Sequence, residues 1–118
     1  MAKYIDCFVM PVPKKNLTAY KAMAKASAKA WIKAGALDYS EVIADDVPKG
    51  KTTSFPRSVK LKAGEKVVLG FATYKSRAHR DRVMAKIHKD EELMKYWENM
   101  PFDGMRMIWG GFTNFVSS

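Results

Sequence analysis

Residues 4–44 read YIDCFVMPVPKKNLTAYKAMAKASAKAWIKAGALDYSEVIA, and the order of patterns in this stretch decides the fold. Tyr4–Pro13 alternates as a strand does, with Tyr4, Asp6, Phe8 and Met10 on one side and Ile5, Cys7 and Val9 on the other. Asn16 is placed to cap a helix. Leu17, Tyr20, Met23, Ser27 and Trp31 follow at helical spacing until Gly35 supplies a left-handed stop. Leu37–Ala44 alternates again, with Leu37, Tyr39, Glu41 and Ile43 set against Asp38, Ser40, Val42 and Ala44.

The same order recurs. Val67–Tyr74 is a strand, Ser76 caps a helix carrying Val83, Met84 and Ile87, and a short helical turn near Asp90 carries Leu93, Met94 and Trp97. The turn Met100-Pro101-Phe102-Asp103-Gly104 then leads into a last strand within Met105–Phe115. Two strand–helix–strand units with right-handed crossovers interleave into one antiparallel sheet with both helices on one side. The fold class is therefore α+β, a ferredoxin-like βαββαβ plait, forming one domain over residues 1–118. Asp45–Lys66, DDVPKGKTTSFPRSVKLKAGEK, is unusually long for a connection. It is expected to be a basic loop, or a hairpin arm through Thr53-Ser54-Phe55 and Arg57-Ser58-Val59, mobile or folded over a partner subunit.

Helices cover one face of such a sheet, yet both faces are apolar. Tyr4, Phe8 and Met10 compete with Ile5, Cys7 and Val9, and Met107 and Trp109 compete with Ile108 and Phe112. An open apolar face of that size calls for a second subunit, so a homodimer through the sheet faces is expected, forming a dimeric α+β barrel. Trp109 is expected at that interface, so that Asp or Lys there lowers the oligomeric state or unfolds the protein.

The 118 residues are enough for a core without staples, and Cys7 is the lone cysteine, which excludes an intrachain disulfide and suits a reducing compartment. The first apolar run carries Asp6, ends in Pro11-Val12-Pro13 and lacks a cleavage site, so no signal peptide is expected. No run approaches the roughly 20 apolar residues of a membrane span. A cytoplasmic location follows as the expectation. The formal net charge of +9 suggests anionic company. Lys21, Lys25, Lys29 and Lys33 form one helical stripe, but no exposed aromatics are interleaved and no nucleic-acid motif is present. The stripe reads as a solvated face, with nucleic-acid binding the weaker alternative.

Four segments resemble the YbaA-like family of small bacterial proteins with no assigned function: Tyr4–Val9, Gly35–Leu37, Asp45–Lys51 and Met100–Phe112, the last being the most specific. The resemblance spans nearly the whole chain and implies the dimeric α+β barrel superfamily, in which two plaits pack sheet to sheet. Its wider members include cofactor-free monooxygenases, isomerases, haem-degrading enzymes and ligand sensors. It supplies no catalytic residues to carry over.

Among candidate site residues, Asp6 is the sharpest, a carboxylate in the middle of an apolar strand. Facing an enclosed pocket it would be desolvated and suited to proton transfer; bonded to a cross-strand donor it would be structural. Glu41 shares a strand face with Tyr39 and is the second candidate base. Tyr4, Phe8, Tyr39, Phe71 and Trp109 are candidates to line a ligand pocket inside the barrel. Asp45-Asp46 and Asp103 read as turn residues, Cys7 as a core residue, and Gly110-Gly111 as a bulge or close approach rather than a phosphate loop. His79 and His88, nine residues apart, fall about 180° apart on a helix and cannot share a metal. No metal site and no cofactor are expected. The leading expectation is a small-molecule-binding protein of unidentified ligand. Its rivals are a cofactor-independent monooxygenase or isomerase with a carboxylate base, and a basic module for nucleic acid.

Overall fold

The computed structural model describes residues 3–118. Its strands are β1 (Tyr4–Pro13), β2 (Asp38–Ile43), β3 (Glu65–Tyr74) and β4 (Ile108–Thr113). Its helices are α1 (Leu17–Ala34), α2 (Phe55–Ser58), α3 (Arg77–Ile87) and α4 (Glu91–Glu98). The sheet order is β2-β3-β1-β4 and each neighbouring pair is antiparallel, which is the interleaved plait.

Local signals place most element ends. Gly35 takes φ 114° and its amide returns to Ile32, closing α1 in the left-handed conformation that glycine adopts without strain. Ser76 accepts the His79 amide at 3.1 Å and Asp90 accepts the Leu93 amide at 3.0 Å, capping α3 and α4. Asn16 precedes α1 but makes no side-chain cap; its Nδ2 donates instead to the Pro101 carbonyl at 3.0 Å. That bond pins the turn before β4 to the start of α1. The last strand begins later than its apolar run, because Gly104–Arg106 forms a 3-10 turn capped by Asp103.

The side-chain parity of the sheet is settled by what covers it. Val12, fully buried, lies on the Tyr4–Met10 side and packs with Met10, Val68, Tyr20 and Met23 beneath α1. A second cluster on the same side joins Ala72 and Tyr74 to Trp31, Val83, Ile87 and Leu93. The opposite face presents Ile5, Cys7, Leu69 and Phe71, with Val42, Ile108 and Phe112 exposed at its edges.

The hairpin arm expected within Asp45–Lys66 does not form. Ser54 accepts the Arg57 amide and Pro56 sits in the first helical turn, where its missing N–H costs nothing, so the segment starts the short α2 instead. It folds back on its own sheet, where Val59, fully buried, packs with Val9 and Val67 at one end of the open face. Arg106 holds this loop. Its guanidinium takes both oxygens of Glu65 at 2.8 and 2.6 Å, Asp103 at 2.9 Å and the Lys60 carbonyl at 2.9 Å. Lys60 itself has φ 50°, a strained value for a lysine that these bonds hold in place.

Candidate functional site

Register sets the helix-facing side chains in rows across the sheet. One row reads Trp109, Phe8, Gly70, Glu41, and the next reads Gly111, Asp6, Ala72, Tyr39. Small residues in these rows seat large neighbours beneath the helices, the Phe8 ring over Gly70 and the Tyr4 ring over Gly111. Gly70 is needed there, because a Cβ would run into the Phe8 ring and sit 3.1 Å from Glu41 Cγ. A cleft under the helices has a volume of about 560 Å³. From α1 it is roofed by Tyr20, Met23, Ser27 and Trp31, successive positions on one helical stripe. Arg80, Asp81, Met84, His88 and Trp97 close the second side, and Met100, Met107 and Trp109 the third.

The lining is aromatic and soft. Ring centroids step from Phe8 to Tyr39 at 6.1 Å, Tyr39 to Trp31 at 5.2 Å and Trp31 to Trp97 at 6.5 Å. Five methionines complete it, side chains that adapt their shape to a ligand.

Two carboxylates stand in this cleft in different states. Asp6 Oδ1 accepts from Arg80 at 2.8 Å and its Oδ2 accepts from the Tyr74 hydroxyl at 3.0 Å, while Trp31 Nε1 donates to that same hydroxyl at 3.0 Å. Arg80 also bonds Asp81 at 2.9 Å and lies 5.1 Å over the Tyr4 ring. Burial pushes the Asp6 carboxyl up from its ordinary value, against the pull of Tyr74 and Arg80. Asp6 is thus a satisfied ion-pair partner and a poor free base.

Glu41 has no ion-pair partner among the described residues. Its two oxygens accept from two phenols, Oε1 from Tyr20 and Oε2 from Tyr39 at 2.7 Å. Burial raises its carboxyl and the two phenols oppose that rise. Both tyrosine hydroxyls are pushed upward by burial and by the neighbouring charge, so they remain donors. Each carboxylate oxygen keeps a lone pair for another donor. This is the group in the cleft with chemical capacity to spare.

Of the residues expected from the sequence, Asp6, Glu41, Phe8, Tyr39 and Trp109 line this cleft. Tyr4 lies beside it under Arg80, and Phe71 is turned to the other face, paired in register with Cys7 and Ser40. Two corrections follow. The cleft lies between sheet and helices and not between two sheets, because the Tyr4–Met10 side is the covered one. Trp109, 68% exposed, stands at the cleft and not on the open sheet face, so it does not probe a sheet-to-sheet interface. Sequence reasoning missed Arg80, which meets Asp6 across 74 positions, and it read the Tyr20–Trp31 stripe as helical spacing without placing it at a site.

Other candidates resolve as structure. His79 accepts the Lys75 amide at Nδ1 and donates from Nε2 to the Gly35 carbonyl at 2.9 Å, tying α3 to the end of α1. His88, at the far end of α3, bonds the Met84 carbonyl and lines the cleft. Lys21, Lys25, Lys29 and Lys33 are all exposed on α1.

A family model described as "Protein of unknown function (DUF1428)" matches residues 3–104. The uncharacterized protein YbaA of Escherichia coli (strain K12) is 41% identical over 114 residues, 97% of each chain. Among solved structures, a dimeric ferredoxin-like protein from an uncultured marine organism aligns over the whole of both chains with a TM-score of 0.67 and 11% identity. A monooxygenase from the gene ActVA-Orf6 of Streptomyces coelicolor, in complex with nanaomycin D, aligns over 99% of this chain and 91% of its own, at TM-score 0.60 and 12% identity. These structures share the fold. The match over most of its length, together with its likeness to YbaA, makes this chain a member of the DUF1428 family.

Proposed function

We propose that this protein binds an aromatic small molecule in the cleft between sheet and helices. The observation that carries the reading is the cleft itself: about 560 Å³, walled by aromatic and methionine side chains, with one carboxylate held by two phenols and free to accept more. Ligand sites have this composition, a mostly apolar wall with a few fixed polar groups. The test is native mass spectrometry of protein purified from its host, followed by titration with 1-naphthalenemethanol read by tryptophan fluorescence. A retained or bound aromatic compound is expected. Absence of both, in protein shown to be folded, would remove the reading.

Glu41 favours a second reading, base catalysis on a substrate with an acidic C–H bond, such as an isomerase performs. A raised carboxyl beside a bound ketone is suited to take a proton from the α-carbon and return it. Solvent deuterium should then enter 2-tetralone faster with wild type than in buffer, and Glu41→Gln should abolish the gain. Exchange at the buffer rate would leave binding alone.

The assembly we propose is a homodimer through the open sheet face. Val42, Ile108 and Phe112 are 52%, 44% and 61% exposed there, and the similar marine protein is described as dimeric. Apolar surface left wet costs about 25 cal/mol per Å², which pairing the two faces recovers.

A further inference from the structure

The cleft is acidic in a protein that is otherwise strongly basic. Asp6, Glu41 and Asp81 line it against Arg80 and the His88 imidazole, with Arg80 the one lysine or arginine among the described residues of its wall, while the whole chain carries a formal charge of +9. Arg80 already has its charge answered, bonded to both aspartates and to the Tyr4 hydroxyl and lying over the Tyr4 ring. That leaves the Glu41 charge without a cation, and the phenols that orient it are neutral donors. Phe8 and Tyr39 stand beside it, and Trp31 packs on Tyr39.

A carboxylate accepts hydrogen bonds and donates none, and aromatic faces attract positive charge through their quadrupoles. Together they form a receptor for an ammonium group on an apolar body. A carboxylate-bearing ligand would meet like charge from Glu41 with no arginine or lysine free to answer it. From this we infer that the ligand is an organic cation, an aromatic amine whose ammonium bonds Glu41 while its rings lie among Phe8, Tyr39 and Trp31. The inference rests on the binding reading above and names the chemical class that fills the cleft.

Three probes of one shape make the test: 1-naphthylmethylammonium, the neutral 1-naphthalenemethanol and the anionic 1-naphthoate, each titrated calorimetrically into the full chain at neutral pH. The ammonium is expected to bind at least about tenfold more tightly than the alcohol, the ratio a charge-assisted bond of about 1.4 kcal/mol produces, and the carboxylate most weakly. Glu41→Gln keeps the shape and should reduce the ammonium to the affinity of the alcohol. Where the Gln variant does not fold, intermolecular NOEs between the probe's methylene protons and the Glu41 side chain of wild type serve instead, and their absence overturns the inference. An alcohol that binds as tightly as the ammonium overturns the charge preference while leaving aromatic binding standing. Failure of all three probes to bind overturns both.

Discussion

Gly70 offers the sharpest test of how the cleft is built. A methyl group added there would stand 2.6 Å from Phe8 Cδ2 and closer still to Cε2, well inside contact distance. Gly70 does not have a left-handed backbone, so Gly70→Ala brings no backbone strain and the collision is the whole effect. The Phe8 ring must swing off its position against Tyr39, and Glu41 must give by a few tenths of an ångström. Overpacking of this kind costs about 1–3 kcal/mol. Unfolding entropy of about 2.1 cal/mol/K per residue implies a drop in Tm of about 4 °C per kcal/mol for 118 residues, so a fall of about 4–12 °C is expected. Thermal denaturation at fixed protein concentration reads it. Phe8→Ala removes the obstructing ring, so the double variant should lose less than the two single losses combined, by about 1 kcal/mol or more. Losses that add to within about 0.5 kcal/mol would refute the proposed contact, as would a Gly70→Ala protein with the wild-type melting temperature.

Two further outcomes follow from the face assignment and from Glu41. Phe112→Lys places a charge on the open sheet face and should convert a dimer to a monomer in sedimentation, whereas Trp109→Lys, at the cleft, should leave association unchanged; a monomeric wild type at micromolar concentration refutes the dimer. Burial raises the Glu41 carboxyl above its unfolded value, so the folded state holds that proton to higher pH than the unfolded chain does. The stability this contributes is complete below the unfolded pKa and is lost as pH rises through the folded one. Urea denaturation across that window should therefore show wild type losing stability relative to Glu41→Gln as pH rises, and the opposite slope would contradict a desolvated carboxyl.

The sequence carried what is local. Gly35, Ser76 and Asp90 close their helices by bonds reaching only a few residues, and such bonds leave a signature in residue type. The alternation of β1 was equally legible, but not which side meets the helices, because both sides are apolar. Pro11 and Val12 show why: both are fully buried, on opposite faces, Val12 beneath α1 and Pro11 on the side that the α2 loop closes. No periodicity separates a position covered by a helix from one covered by a loop. The same limit hid the Asp6–Arg80 pair, whose partners are brought together only by the crossover. In the α2 segment Pro56 carried a signal, since proline in a first helical turn after serine is a helix start, and a hairpin reading gave it too little weight.

Turning the cleft to the helix side changes what the two faces of the sheet must do. A cavity between two sheets would be assembled from two chains, and any loss of association would destroy it. Here Tyr20 from α1, Tyr39 from β2 and Phe8 from β1 meet at Glu41 within one chain. The face that carries them is separated by the thickness of the backbone from Val42, Ile108 and Phe112. Successive residues of one strand therefore serve opposite ends, Ile108 on the open face and Trp109 at the cleft. In the proposed dimer a substitution on one parity should perturb assembly, and its neighbour in sequence the cleft. The physical basis is the two-residue period of a strand, which lets β4 present an apolar edge to the second copy we propose while its next side chain borders the aromatic wall.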